Sequence, residues 1–243
     1  MIENPLRIAM WSGPRNLSTA MMRSFGARSD TACVDEPFYA PFLKLTGLDH
    51  PMREKILAAH SADASAVAQQ LSEGPAMARV IYQKQMTHHM VKGIPRKWMS
   101  EVIHIFLVRH PARVLASYAR KMETVDLAAI GFPQQAELFS EASELTGRTP
   151  IIVDADDILD EPRSMLDKLC SALGIRFEDS MLNWTSGPRP EDGAWAPHWY
   201  DAVINSTGFG PPAGNLPKLP EKLQPVCDQA LPIYEKLASS RLM

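Results

Sequence analysis

With 243 residues, 45% hydrophobic and 22% charged, the chain has the composition and length of one large globular domain spanning 1–243, which excludes a disordered or membrane-embedded chain. A formal net charge of -3 leaves no global basic field to hold a nucleic acid, and no apolar run approaches the length of a membrane span. Cys33, Cys170 and Cys227 lie far apart without ligand spacing and read as reduced thiols; as "MIENPLRIAM" also lacks a basic-then-apolar leader, the expected address is the cytoplasm.

In chain order, short apolar runs alternate with segments of helical period, the pattern of βα units around a parallel sheet. Strands are predicted at Leu6 to Trp11, Thr31 to Val34, Met77 to Tyr82, Val102 to Val108 and Ile151 to Val153, with helices between them. Pro111 to Met122 puts Val114, Leu115, Tyr118 and Met122 on one helical face and Arg113, Ser117, Arg120 and Lys121 on the other. In "EPRSMLDKLCSALGI" the apolar positions Met165, Leu166, Leu169, Cys170 and Leu173 recur at helical spacing, and Gly174 supplies the stop. From about 178 to 220 the pattern dissolves into Trp, Pro and Gly, a loop long and aromatic enough to suggest function. A closing helix is expected from about Glu221 to Leu237, kinked at Pro232.

Two segments could hold anions. In "SGPRNLSTAMM", Gly13 and Pro14 make a turn between the first strand and a helix. Ser18, Thr19 and the helix's unpaired N–H groups then face one place, and Arg15 adds a planar donor fork. An ordinary βα turn with a solvated arginine is the alternative. No lysine precedes Ser18 or Thr19, so this is not a Walker A loop. In "EVIHIFLVRHPARVLASYARK", Arg109 ends a strand where open α/β sheets bind ligands, and Ser117 lies on the polar face of the next helix; together they can clamp a phosphate.

These two stretches, with "VDADDILDEPRSMLDKLCSALGIRF", resemble the three signatures of sulfotransferases that use 3′-phosphoadenosine-5′-phosphosulfate (PAPS). The resemblance implies an α/β fold, a P-loop NTPase-like three-layer sandwich with a central parallel sheet flanked by helices. It also implies PAPS as donor, with no metal. It assigns Arg15, Asn16, Ser18 and Thr19 to the phosphosulfate, and Arg109 with Ser117, in R-x-x-x-x-x-x-x-S register, to the 3′-phosphate. The family loop is closer to P-K/R-S-G-T-T, so Asn16 and Leu17 replace its Ser-Gly; the tyrosine before the acidic pair of the third signature is absent. "DGAWAPHWY" is similar to the family's nucleotide-closing loop without its lysine, so Trp195 is a candidate to cover adenine or, alternatively, a packed anchor.

Two stretches offer a catalytic base. "YQKQMTHHM" is similar to the family's Lys-Thr-His element and places Lys84, His88 and His89 beyond the third strand; "CVDEPFY" supplies Asp35 and Glu36. His88 stands first and Glu36 close behind. The expected activity is transfer of a sulfuryl group from PAPS to a hydroxyl or amine of a small-molecule acceptor, with no nucleic-acid or membrane partner. A P-loop-type kinase or hydrolase using Asp154 for Mg²⁺, or a degenerate nucleotide-binding protein without catalysis, are the alternatives. The acceptor pocket is expected behind Glu36, in "PFYAPFLKLTG", and in the late aromatic loop.

Overall fold

The computed structural model describes residues 2–122 and 125–243. Its elements are β1 (Leu6–Ser12), α1 (Ser18–Gly26), β2 (Thr31–Asp35), α2 (Tyr39–Thr46), α3 (Arg53–Ala59), α4 (Ala64–Glu73), β3 (Val80–Met86), β4 (Ile103–Val108), α5 (Pro111–Tyr118), α6 (Phe132–Thr146), β5 (Ile151–Asp154), α7 (Ala155–Asp160), α8 (Pro162–Ala172), α9 (Ala196–Trp199), α10 (Asp201–Ile204) and α11 (Gln224–Ala238). The five strands form one parallel sheet in the order β2-β3-β1-β4-β5.

Strand periodicity divides the core in two. Ile8, Met10, Tyr82, Ile105, Leu107 and Val153 point into a core closed by α1, α2, α7 and α8. Their neighbours Ala9, Trp11, Phe106, Val108 and Ile152 point into the opposite core, closed by α4, α6 and α11. A sheet buried on both faces between two helical layers is the α/β sandwich expected from the sequence. Because β1 is flanked by β3 and β4, the chain order reverses there, which opens a crevice outside the carboxyl ends of these strands. Among the described residues, no helix is long and apolar enough to cross a membrane.

Three local expectations need correction. The third strand is Val80–Met86 instead of Met77 to Tyr82, which puts Lys84 within the strand rather than beyond it. Met77 is 80% exposed, whereas the polar Gln83, Lys84 and Gln85 are buried. Burial of these groups is tolerable because each has partners: Gln83 donates to the Leu71 carbonyl, and Lys84 is held by carboxylates. The helix after β4 ends at Tyr118, with residues 119–121 forming turns and Met122 only partly buried. The late aromatic stretch is also more ordered than a loop, since it carries α9 and α10 and sends Trp195 and Tyr200 into the first core. The closing helix continues through Pro232.

Gly13 shows how tightly the crevice floor is built. A Cβ there would lie 2.5 Å from the Ile130 carbonyl oxygen, a backbone atom with little room to yield. Gly13→Ala is therefore expected to destabilise the fold by about 1–3 kcal/mol, measurable by urea denaturation; a change below a few tenths would mean that the 130–131 segment moves freely.

Candidate functional site

β1 ends at Ser12, and the chain turns through Gly13 to Leu17 before α1 begins. Arg15 (φ 64°) and Leu17 (φ 70°) both take the left-handed conformation, at a cost of roughly 1–2 kcal/mol for a residue other than glycine. Leu17 occupies the place where the resembling loop carries glycine, and its backbone adopts the shape glycine favours. Left-handed residues in such a turn curl successive N–H groups into an anion-binding concavity. No side chain caps α1, so its first-turn N–H groups have no such partner. A helix of nine residues that starts this way presents a positive dipole end to the crevice.

Arg109 lies one residue past β4, and Ser117 sits two turns into α5. The two segments meet the first loop directly: Arg15 Nε donates to Ser117 Oγ at 2.9 Å, and Arg109 Nη1 donates to the Arg15 carbonyl at 3.0 Å. Arg120 Nη2 reaches the same Ser117 oxygen at 3.5 Å. Burial, then the nearby Arg120 and Arg109 guanidiniums, press the Arg15 pKa below its ordinary value. Burial does the same to Arg109, opposed by Asp156, whose Oδ1 lies 3.6 Å from Arg109 Nε. Arginines stay charged regardless, so a half-buried group of like charges remains. An anion is the ligand that such a group favours. Asn16 is buried with its amide nitrogen donating to the Leu107 carbonyl at 3.3 Å, and its Oδ1 has no hydrogen-bond partner among the described residues.

One cavity of about 270 Å³ joins this basic end to a second cluster. Arg15, Asn16, Ser18, Thr19, Arg109 and Ser117 line the first end, and Glu36, Lys84, His88 and His89 line the other. Of the residues singled out from sequence, Asp35 and Asp154 do not line it, and neither does Trp195. Its side chain is buried, its ring lies 4.9 to 5.0 Å from those of His60 and Tyr39, and its Nε1 donates to Tyr200 at 2.9 Å. Trp195 is thus a packed anchor, and the aromatic groups that reach the cleft from this stretch are Trp199 and Tyr200.

The second cluster is built on strand register. Asp35 at the end of β2 pairs with Lys84 of β3, both on the same face of the sheet, and the Lys84 ammonium lies 3.0 Å from Asp35 Oδ1. Lys84 also donates to Glu36 Oε1 and, at 2.6 Å, to the Tyr200 hydroxyl. Burial raises the Glu36 pKa above the ordinary carboxylate range, opposed by Lys84 and reinforced by Asp35. His88 and His89 lie in a single 3₁₀ turn, Thr87–His89, with ring centroids 4.4 Å apart. Desolvation, then His50 and Lys84, push the His88 pKa down to about 3, and His89 is lowered by desolvation and the same neighbours. Both are neutral at physiological pH, and among the described residues their Nδ1 atoms have no hydrogen-bond partner. Tyr39 and Phe42 pack against these imidazoles, and Trp199 stacks on that of His50.

Asp154, the Mg²⁺ candidate of the kinase reading, is outside the cleft. Its Oδ1 caps α7 through the Asp156 N–H at 2.8 Å, and its Oδ2 accepts from the Tyr234 hydroxyl at 2.7 Å. The residues that sequence reasoning missed are Arg120 as a third cation beside Ser117, and Tyr200 as the partner of Lys84. Arg120 was visible on the polar side of the predicted 111–122 helix, although it lies in the turn just after α5. Tyr200 carried no sequence signal, because 116 residues separate it from the lysine it contacts.

A family model described as a sulfotransferase domain matches residues 6–241. The chain belongs to the sulfotransferase family. Among solved structures, this sulfotransferase fold resembles the sulfotransferase domain of the Synechococcus PCC 7002 olefin synthase. That likeness has a TM-score of 0.64 at 20% identity, covering 98% of this chain and 96% of that one. A sulfotransferase from Alicyclobacillus acidocaldarius is similar with a TM-score of 0.55 at 13% identity, over 99% and 98% of the two chains. At such identities the likeness shows the sulfotransferase fold, in agreement with the sandwich expected from sequence. In sequence, two Arabidopsis thaliana proteins are similar to it. Branched-chain-amino-acid aminotransferase-like protein 2 is 36% identical over 95% of this chain, and protein 1 is 37% identical over 98%. The chain spans about two-fifths of the length of these curated relatives, 41% and 42%.

Proposed function

We propose that this sulfotransferase-family chain transfers a sulfuryl group from PAPS to a hydroxyl or amine of a small-molecule acceptor. The observation that carries the reading is the convergence of Arg15, Arg109 and Ser117, from two distant segments, on one cleft at the uncapped start of α1. Two basic subsites in one cleft suit a ligand with anionic groups at both ends. Arg15, the Ser18 and Thr19 hydroxyls and the first-turn N–H groups would hold the 5′-phosphosulfate, and Arg109 with Ser117 the 3′-phosphate. PAPS supplies an activated sulfuryl group on a phosphate leaving group. The aminotransferase-like names of the two plant relatives belong to chains of which this one spans about two-fifths, and they set no substrate for it.

What the chain itself must provide is a proton acceptor and fixed positive charge. Glu36 suits the first role better than His88, which stood first in the sequence reading. A group whose pKa is pushed down to about 3 accepts a proton weakly, whereas burial raises that of Glu36. In this reading the acceptor's proton passes to Glu36, and Arg15 and the α1 N-terminus stabilise charge growing on the leaving phosphate. The acceptor would lie against Tyr39, His50, His89 and Trp199, walls that favour an uncharged, partly aromatic molecule.

An assay of bisphosphate release against a panel of alcohols, phenols and amines tests this. Glu36→Gln is expected to lower turnover by about 100-fold or more while sparing donor binding, and His88→Ala to lower it far less. The acid limb of the wild-type pH profile should lie above the ordinary carboxylate range, with no limb near 6.5 from His88. Full turnover in Glu36→Gln would remove that carboxylate from the role.

A further inference from the structure

The Lys84 ammonium has three hydrogens and three acceptors around it: Asp35 Oδ1 at 3.0 Å, Glu36 Oε1 and the Tyr200 oxygen at 2.6 Å. The Tyr200 oxygen accepts from Lys84 and from Trp195 Nε1 at 2.9 Å, so its own hydrogen goes to Asp35, 2.7 Å away at Oδ2. Asp35 Oδ2 also accepts the Gly193 N–H at 3.1 Å. Every donor and acceptor here is committed, and the side chains of Asp35, Lys84 and Tyr200 are buried. One oxygen stands apart. Among the described residues, Glu36 Oε2 makes no hydrogen bond; His89 Nε2 lies 4.0 Å from it. Glu36 itself is held at φ 38°, an unusual backbone conformation for a residue with a side chain, and its N–H donates to the Lys84 carbonyl at 3.0 Å.

The segment that carries Gly193, Trp195 and Tyr200 has a second, remote anchor. Asp192 Oδ2 accepts from Arg23 Nη2 at 2.7 Å and from the Arg189 N–H at 2.8 Å, and the Arg23–Asp192 pair is buried on the flank of α1. The late segment is therefore fastened at one end to the helix that follows the anion loop and at the other to the carboxylates of β2.

We infer that Tyr200, with Asp35 and Lys84, is a positioning residue for Glu36, so that seating of the 193–204 segment and presentation of Glu36 Oε2 to the cleft are one hydrogen-bonded event. This rests on the reading of Glu36 as proton acceptor. Lys84 draws Oε1 inward only while Tyr200 and Asp35 hold the ammonium in place, which leaves Oε2 for the substrate side. Residue 200 lies beside the cleft-lining Trp199 and Val203, so the same event sets an acceptor wall and the base together. The charged or titratable groups facing Glu36 are Lys84 of β3, Asp35 of β2, Tyr200, Tyr39 of α2, and the imidazoles of His88 and His89.

The test is the titration of the Glu36 carboxyl by ¹³C NMR on glutamate-labelled full chain, assigned with Glu36→Gln, together with amide exchange across 193–204. Tyr200→Phe keeps the ring and removes the hydroxyl. It is expected to raise the Glu36 titration, because the hold that keeps the Lys84 ammonium against Oε1 is loosened, and to speed exchange at 193–204 by about tenfold or more. Asp192→Asn touches neither Glu36 nor Tyr200. By loosening the segment it is expected to speed the same exchange and, as water reaches the carboxylate, to lower the Glu36 titration toward the ordinary range. In either variant, faster exchange with an unmoved titration overturns the coupling, as does a Tyr200→Phe chain with unchanged exchange. None of these readouts uses turnover. A coupled titration together with full activity of Glu36→Gln would therefore uphold the coupling and reject Glu36 as the base.

Discussion

Arg109→Ala is expected to weaken binding of 3′,5′-adenosine bisphosphate by roughly 10- to 150-fold, while a nucleotide without the 3′-phosphate loses no more than about threefold. The 10- to 150-fold range corresponds to one charge-assisted hydrogen bond, about 1.5–3 kcal/mol. The asymmetry follows from placement. Arg109 stands at the end of β4, beside α5 and its Ser117, whereas the uncapped N–H groups and the Ser18 and Thr19 hydroxyls belong to the loop after β1. Arg109 itself is linked to that loop by its bond to the Arg15 carbonyl, so some loss at the other subsite is expected, but a small one, because Arg15 keeps its bond to Ser117. Arg15→Ala should instead weaken both ligands, since its side chain reaches Ser117 from the first loop. Calorimetric titration of both variants with both nucleotides reads this directly. Equal losses for the two ligands in Arg109→Ala would take this arginine away from the 3′-phosphate.

Lys84→Met is expected to cost about 3–5 kcal/mol of stability at neutral pH, because it leaves Asp35 and Glu36 buried side by side without a cation. The pH dependence has a definite sign. Burial already raises the Glu36 pKa in the folded chain, so this group favours folding less as pH climbs from the ordinary carboxylate pKa through the raised one. Removing Lys84, which pulls that pKa down, widens the window, and the variant's deficit should grow from pH 5 to pH 8. Lys84 has a raised pKa of its own. Its contribution is complete below the ordinary lysine range and fades only as pH rises through the higher folded value. Urea denaturation of both proteins at the two pH values measures the difference. A deficit independent of pH would mean that Glu36 is neutral across the range and that Lys84 acts through packing alone.

The parallel sheet was readable because four of the five strands are short, mostly apolar runs separated by segments of helical period, as in "LRIAMW" and "VIHIFLV"; the order of the strands was not. The third strand was misplaced for a physical reason. It buries Gln83, Lys84 and Gln85, which hydropathy reads as surface, and partners remote in sequence make that burial tolerable: the Leu71 carbonyl for Gln83 and, through parallel register, Asp35 for Lys84. The anion loop and the Arg109–Ser117 pair were legible because helix starts and strand ends carry local chemistry. The direct contact between Arg15 and Ser117 was not, as it joins residues 102 apart. Trp195 and Tyr200 show the limit most clearly. In a stretch rich in Trp, Pro and Gly, composition does not say which ring turns inward, and it is the burial of Asp35 and Lys84 beneath the segment that draws Tyr200 to them.

The central claim is that two basic subsites in one cleft accept a nucleotide bearing phosphate at both the 3′ and 5′ positions. Calorimetric titration of the unmodified chain with 3′,5′-adenosine bisphosphate, and in parallel with ATP plus Mg²⁺, tests it most directly. Saturable binding of the bisphosphate, tighter than that of the metal–ATP complex by tenfold or more, is the predicted result. Binding of metal–ATP alone, or of neither ligand, would contradict it.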